Sequence, residues 1–285
     1  MSLKIYTNLS SLNSQRHLDL SRLQMGTSIT RISSGIRLTK AGDDSAAMSI
    51  SESLRSDVQA LKQGSRNLND GIAMINTAEG GLAEVSSILI RLRELASQSA
   101  TGTIGQTERT TLNLEFNALI KEMDRIAQTT EFNGQKLMDG SLASNVSAKN
   151  TLVLQVGLDA GKDNRINLNQ ELDLTAVNSK ALGLDDESIT TEAGSLQAMD
   201  ALASSVDKLI ALRGRVGAVQ NRLQRASNQL GDTIENLTAA VSTIRDADLA
   251  SEVTTLTKNQ ILVQASSAMI GQANLIPQSV LTLLQ

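Results

Sequence analysis

Cysteine and tryptophan are absent from this 285-residue chain, and proline and histidine occur once each. Without cysteine there can be no disulfide, no thiolate nucleophile and no zinc–thiolate site, and no crosslink would stop the unfolded chain from passing through a secretion channel. His17 is the single histidine, so a histidine-based metal site or catalytic triad cannot be assembled. We therefore expect no enzymatic activity and no cofactor.

Aromatic residues are also scarce, since the chain has only Tyr6, Phe116 and Phe132. Small-molecule pockets are usually lined by aromatic as well as aliphatic side chains, so the composition disfavours a cofactor-binding protein. The net charge of −4 argues against nucleic acid as a partner, because nucleic acids favour a basic face. No apolar run reaches about 18 residues, so no membrane span is predicted, and the start lacks the apolar segment of a secretory signal peptide.

Helical periodicity dominates what is present, and it is weak at the two ends of the chain. Residues 3–34 predict a helix whose apolar residues recur at intervals close to three and four: Leu9, Leu12, Leu20, Leu23, Ile29 and Ile32. Residues 249–284 predict another helix, interrupted by Asn259, Gln260, Gln264, Gln272 and Asn274. Helices this polar are marginal alone in water, so we expect both ends to need a partner.

Two longer helices are predicted inside these ends, over residues 44–99 and 195–244. Some 55 residues of helix span roughly 80 Å, and helices of this length cannot hide their apolar stripes alone. Asp43 or Asp44 is a natural N-cap for the first of them. Gly64, Gly71, Gly80 and Gly81 are expected to mark places where another helix approaches closely. The pattern implies packing against further copies of the chain.

The segment from about 131 to 194 predicts a small β-hairpin region. Asn133-Gly134 and Asp139-Gly140 are tight-turn dipeptides, and residues 151–156 and 165–169 predict short strands. We therefore expect a mainly α fold. It would be a long antiparallel helical bundle or coiled-coil rod, with the terminal helices paired together and the hairpin region in the middle of the chain.

Several sequence motifs together resemble those of bacterial flagellin, the subunit of the flagellar filament. They span nearly the whole chain. The N-terminal ones are Ile32-Ser33-Ser34-Gly35-Ile36-Arg37, Ala41-Gly42-Asp43-Asp44-Ser45-Ala46, Ser65-Arg66-Asn67-Leu68-Asn69-Asp70-Gly71-Ile72 and Leu92-Arg93-Glu94-Leu95-Ala96. The central and C-terminal ones are Phe132-Asn133-Gly134, Gln155-Val156-Gly157, Ile244-Arg245-Asp246-Ala247-Asp248 and Val280-Leu281-Thr282-Leu283-Leu284.

This resemblance implies a domain organisation. Residues 1–42 with 246–285 would form an inner domain that is disordered in the monomer and orders in the filament core. Residues 43–245 would form a rod-like helical domain, and the variable outer domains of longer flagellins would be absent. The polymer core would contain Leu9, Leu12, Leu20, Leu23, Ile32, Leu256, Val263, Ile270, Leu281 and Leu284.

The resemblance also implies partners and a location. The chain would be secreted, would assemble with copies of itself into an extracellular filament used for motility, and would meet the flagellar export apparatus, an export chaperone, and junction and cap proteins. A host Toll-like receptor would recognise Arg91, Leu95 and Glu115.

Two other functions compete with that of a filament subunit. A hook–filament junction protein shares flagellin-like ends, but both end motifs are complete here and the middle of the chain is short. A membrane-active helical protein would need a basic amphipathic or strongly apolar helix, and neither is evident.

Overall fold

The computed structural model describes residues 8–146 and 151–283, with side chains through residue 275. Its secondary structure confirms the mainly α prediction. The helices are α1 Leu9–Ser34, α2 Ser45–Ser99, α3 Gln106–Thr129, α4 Leu168–Leu172, α5 Ser179–Leu182, α6 Glu192–Arg245 and α7 Leu249–Leu283. The strands are β1 Glu131–Phe132, β2 Gln135–Lys136, β3 Val153–Gln155 and β4 Arg165–Asn167.

The chain divides into two compact units. Unit one combines Met1–Ser56 with Asn236–Gln285, and unit two is Asp57–Glu235. The first turns of α2 and the last turns of α6 therefore belong to unit one, and the remainder of both helices belongs to unit two.

Unit two has a core built on heptad-like spacing. The buried positions of α6 follow one another at intervals of three and four residues, from Ser195, Ala198, Leu202, Ser205, Leu209, Leu212, Val216 and Val219 to Leu223. In α2 the buried apolar residues include Leu68, Ile75, Leu82, Val85, Leu89 and Leu92, and α3 adds Phe116 and Met123. Ion pairing of Arg213 with Glu79 and a hydrogen bond from Gln220 to Asn76 show that α2 and α6 run antiparallel.

The hairpin region of unit two is also present. β1 and β2 are joined by a two-residue turn, in which Asn133 has φ +50° and Gly134 has φ +78°, as a hairpin with an Asn-Gly turn requires. β3 and β4 pair antiparallel with Leu154 opposite Ile166. The sequence did not predict α4 and α5, because helices of four or five residues leave no measurable periodicity.

Three glycines of α2 permit a close approach by the hairpin region. A Cβ on Gly64 would lie 2.3 Å from the carbonyl oxygen of Val156, and one on Gly71 would lie 2.4 Å from Cδ1 of Leu154. A Cβ on Gly81 would meet a methionine sulfur at 2.6 Å, whereas one on the neighbouring Gly80 would meet nothing within 4 Å. The expectation that another helix approaches these glycines was wrong, since strands and loop segments do so.

In unit one the connectors before α2 and before α7 pair with each other. Gly35 ends α1 in the left-handed conformation at φ +68°. The Arg37 N–H donates to the Arg245 carbonyl at 2.7 Å, and the Ala247 N–H donates to the Gly35 carbonyl at 3.0 Å. Asp44 caps α2 by accepting the Ala47 N–H at 2.9 Å, which confirms one of the two predicted N-caps.

Candidate assembly surface

Helices α1 and α7 pack against each other along a seam with a regular spacing. On α1 the buried or half-buried positions are Ser11, Ser14, Leu18, Ser21, Met25, Ser28 and Ile32. On α7 they are Glu252, Leu256, Asn259, Val263, Ser266, Ile270 and Ala273. Both sets advance by alternating steps of three and four residues, the spacing of a coiled-coil seam.

Along each helix of this seam, apolar positions alternate with small or polar ones. In α1 the apolar residues Leu18, Met25 and Ile32 alternate with serines, two of which, Ser21 and Ser28, are buried. In α7 the apolar residues Leu256, Val263 and Ile270 alternate with Asn259, Ser266 and Ala273. Burial of serine or asparagine adds little hydrophobic stabilisation, so this seam is weaker than its regularity suggests.

Polar contacts near both ends of the seam fix its antiparallel register. The Asn8 side-chain amide donates to the carbonyl of Ala273 at 2.7 Å. Toward the other end, Arg31 Nη1 lies 3.1 Å from Glu252 Oε1, and these side chains are only 27% and 13% exposed. An ion pair screened this little by water sets the alignment of the two helices more firmly than a fully exposed pair would.

The leucine-rich face of α1 points away from α7. Leu9, Leu12, Leu20 and Leu23 are 64%, 55%, 49% and 70% exposed. Because successive helical residues turn by about 100°, these four lie on one side of α1, opposite the seam. Leu12, Leu20 and Leu23 line an open groove of about 380 Å³ together with Gln15, Arg16 and Asp19. Among the described residues, this leucine stripe is therefore an exposed outer face.

Helix α7 is apolar on all its sides. Its exposed apolar residues Leu249, Val253, Ile261, Leu262, Met269 and Leu275 are spread around the whole circumference. After Lys258 the sequence contains no aspartate, glutamate, lysine or arginine. Helices with apolar residues on every face are normally surrounded by other structure. Within residues 8–146 and 151–283, no helix has the length and apolarity needed to cross a membrane.

The ten residues predicted for a polymer core fall into separate places. Leu9, Leu12, Leu20 and Leu23 face outward from α1, whereas Ile32, Leu256, Val263 and Ile270 lie in the seam between α1 and α7. Leu281 lies in the last part of α7, where the structure gives only the backbone, and Leu284 lies outside the described residues. The sequence missed the seam serines and Asn259, because small polar residues give no apolar signal.

Two of the three residues predicted for receptor recognition form an exposed ion pair in unit two. Arg91 Nη2 lies 2.8 Å from Glu115 Oε1, and Arg91 Nη1 lies 3.0 Å from Glu94 Oε2. Hydrogen bonds to Glu115 and then Glu94 hold the pKa of Arg91 above its ordinary value. The pair joins α2 to α3 and remains about half exposed.

The third residue of that prediction needs correction. Leu95 is fully buried in the core of unit two, so its side chain supports the packing of α2 and offers no contact surface. The residues that precede Arg91 and Glu115 in the sequence are apolar and exposed: Ile90 is 56% exposed and Leu114 is 68% exposed. This adjacency could have identified them as candidate contact residues.

Comparison with known proteins gives consistent matches along the chain. The profile described as the bacterial flagellin N-terminal helical region matches residues 5–143, and that of the bacterial flagellin C-terminal helical region matches residues 196–284. A flagellin from Halalkalibacterium halodurans is 42% identical over 280 residues, or 98% of each chain. A Bacillus subtilis flagellin is 38% identical over 305 residues, covering 99% of this chain and 100% of the relative. A flagellar filament 30.7 kDa core protein from Treponema maltophilum is 36% identical, covering 97% of this chain and 98% of the relative.

Proposed function

This chain belongs to the bacterial flagellin family and is a structural subunit of the flagellar filament, and we propose that α1 and α7 are the helices that hold neighbouring copies together. One observation carries this assignment. The two helices cover only one narrow face of each other, while the outer leucines of α1 and the whole circumference of α7 present apolar side chains. Copies that meet through these faces would bury them.

Assembly needs burial of apolar surface on both helices. Fully burying a leucine side chain contributes roughly 1.5–3 kcal/mol, and four leucines of α1 are at least half exposed or close to it. Association costs an estimated 4–15 kcal/mol in lost freedom, and the four partly exposed leucines would contribute less than roughly 6–12 kcal/mol, so α1 alone leaves little or no surplus. The additional apolar surface of α7 is needed, and we assign both helices to the same interface. Contacts between different faces give open-ended growth when the rotation from one copy to the next does not close a ring, and we propose such a helical arrangement for the filament.

We also propose that residues 1–42 and 246–285 are disordered in the free subunit and order on assembly, while residues 43–245 stay folded. The alternation of serine with apolar residues along the α1–α7 seam supports this division. A pair of helices with so little buried apolar surface gains little over the entropy of ordering it. Contacts with other copies would supply the difference, as in other cases of coupled folding and binding.

Seeded polymerisation of variants tests this assignment. Removal of residues 1–40 or 246–285 should abolish filaments in negative-stain images while leaving a folded monomer by circular dichroism. Leu20→Asp, on the outer face of α1, should also block growth. Gln24→Asp, at an exposed position off the leucine stripe, is the matched control and should polymerise. Filaments from the truncated chain, or from Leu20→Asp, would contradict the assignment.

The position of a residue determines how its replacement would act. Val263→Asp and Ile270→Asp place a charge in the α1–α7 seam instead of the outer face, so they should prevent filament growth by separating the two helices. Leu20→Asp changes the outer face of α1 and leaves every seam residue as it is.

We further propose that the chain is exported unfolded by the flagellar export apparatus with a chaperone, and assembles between junction and cap proteins. The absence of cysteine supports export without a crosslink to break. We also propose that the chain is a short form without outer variable domains. Two flagellins support this, because their alignments of 280 and 305 residues cover 98% and 99% of this chain and 98% and 100% of the relatives. The junction-protein alternative has less support, because the relatives above are flagellins and a filament core protein.

A host Toll-like receptor is proposed to contact the Arg91–Glu115 pair. The pair is about half exposed, and Ile90 and Leu114, its neighbours in the sequence, are exposed apolar residues. Purified subunits carrying Arg91→Ala with Glu115→Ala should lose activity in a receptor reporter assay. Arg125→Ala with Glu122→Ala removes another exposed pair on α3 and serves as the control. An inactive wild-type subunit would exclude recognition.

A further inference from the structure

The α1–α7 seam contains a side chain that the pairing of the helices leaves unsatisfied. Asn259 is only 2% exposed, and its Nδ2 group has no hydrogen-bond acceptor among the described residues. The side-chain amide carries two N–H donors. Removing such donors from water without an acceptor disfavours the packed state, by on the order of tenfold in an equilibrium constant. Asn259 therefore weakens the helix pair that buries it.

An asparagine is not required at this position for the helices to pair. Asn259 lies between Leu256 and Val263 in the seam, and a leucine would continue their apolar row. The facing helix α1 contributes the buried serines Ser21 and Ser28. Their small side chains add little apolar surface of their own. Antiparallel alignment is already set by Arg31 with Glu252 and by the amide of Asn8.

We propose that Asn259 is a built-in weak point that prevents stable pairing of α1 and α7 in the free subunit. The helices then pair only when neighbouring copies cover their outer faces. This inference rests on the proposed function, because the covering surfaces are those of other subunits. The outer leucines of α1 and the exposed apolar residues of α7 outnumber the single unsatisfied amide, so assembly overcomes the weak point that the free subunit cannot.

The test uses the full chain as a free subunit, before any polymer forms. Asn259→Leu should slow amide hydrogen exchange in α7 by up to about tenfold and should slow proteolysis of the termini to a similar extent. It should also polymerise without seeds at a concentration at which the wild type needs them. Gln260→Leu, at the exposed neighbouring position, adds the same leucine outside the seam and should leave exchange in α7 unchanged.

Each remaining outcome overturns the inference. Unchanged or faster exchange in Asn259→Leu would show that the amide does not limit pairing, and an equal effect of Gln260→Leu would attribute the change to added hydrophobicity alone. Asn259→Met, whose unbranched side chain adapts to irregular space, covers the case in which leucine does not fit. Faster amide exchange in α7 of both Asn259→Leu and Asn259→Met would also contradict the inference.

The exchange measurement needs no polymer, so its failure is separate from that of the proposed function. If wild-type subunits polymerise on seeds while Asn259→Leu exchanges like the wild type, only the role of Asn259 is wrong. If neither protein polymerises on seeds, the assembly role of the terminal helices is wrong.

Discussion

The α1–α7 seam of unit one and the buried positions of α6 from Leu209 to Leu223 in unit two share a spacing but differ in residue type. In α6 the buried positions from Leu209 to Leu223 are all leucine or valine. Along the seam side of α1, serines alternate with apolar residues, and Ser21 and Ser28 are buried between Leu18, Met25 and Ile32. Identical helical geometry thus supports very different amounts of apolar burial. A heptad repeat therefore specifies how helices align, whereas the residues at its positions decide whether the helices pair without further partners.

The largest expected effect lies in the core of unit two. Leu92→Ala removes a fully buried side chain and should lower the free energy of unfolding by about 2–5 kcal/mol, through lost burial and the cavity left behind. Urea denaturation of the free subunit measures it. The control Ile90→Ala, at a neighbouring position that is 56% exposed, should cost far less.

The same substitution in unit one examines the contrast directly. Leu18→Ala lies in the α1–α7 seam and should leave the urea midpoint of the free subunit unchanged, because we propose that this seam is not formed there. A loss as large as that of Leu92→Ala would show that the two seams are equally stable in the monomer.

A second effect depends on the close approach of the hairpin region to α2. Gly64→Ala would place a Cβ 2.3 Å from the backbone oxygen of Val156, so the backbone must move, at a cost of about 1–3 kcal/mol. Gly217→Ala, on α6, would meet nothing within 4 Å and should stabilise the subunit by about 0.5–1 kcal/mol. Thermal unfolding of both variants gives opposite shifts. Equal shifts would show that the hairpin region adapts freely.

These contrasts also show which parts of the structure the sequence could predict. The long helices were predicted within a few residues, because their apolar periodicity and caps are strong: α2 was expected over 44–99 and begins at Ser45. The hairpin turn followed from Asn133 and Gly134, whose dipeptide favours positive φ. Elements with a strong local signal were therefore predictable.

The faces that meet were harder to predict. The regular leucines of α1 were the stronger apolar signal, yet α7 packs on the serine side. Near the start of α6 the large apolar residue Leu196 is 53% exposed, whereas the small residues Ser195 and Ala198 are buried. Small residues allow close packing between elements. The periodicity of large apolar residues in a sequence does not show where such packing occurs. Leu95 was predicted as a contact residue but is fully buried, because its burial depends on tertiary packing that the local sequence does not show.

A smaller effect is expected when apolar burial is added to the α1–α7 seam, which would make its residue content more similar to that of α6. Ser14 is a half-buried seam position of α1, and Ser14→Leu should add apolar burial and stabilise the α1–α7 pair by about 1 kcal/mol. Helicity of the free subunit by circular dichroism should rise. Ser10→Leu, at an exposed position of the same helix, should not raise it. No increase in helicity for Ser14→Leu would mean that serine content does not limit pairing.

The smallest expected effect concerns Asp173 in unit two, which binds Ser144 and Arg215. Its replacement tests whether charged groups contribute as much to the stability of unit two as buried apolar side chains do. Hydrogen bonds from the hydroxyl and then the N–H of Ser144, with the Arg215 guanidinium, hold the pKa of Asp173 below its ordinary value. A carboxyl whose folded pKa is lowered adds stability that is present above its unfolded pKa of about 3.9. That stability is lost as the pH falls through the folded value. Asp173 is partly exposed, so solvent screening keeps the contribution below about 1 kcal/mol.

Asp173→Asn isolates this contribution, since asparagine tolerates the left-handed backbone at φ +41°. At neutral pH the variant should unfold at slightly lower urea than the wild type. The difference should persist to about pH 5 and shrink below about pH 4, as the wild-type carboxyl takes up its proton. A difference that stays constant down to pH 2 would mean that Asp173 acts through hydrogen-bond geometry instead of charge. A loss comparable to that of Leu92→Ala would reverse the ranking of apolar and polar contributions in unit two.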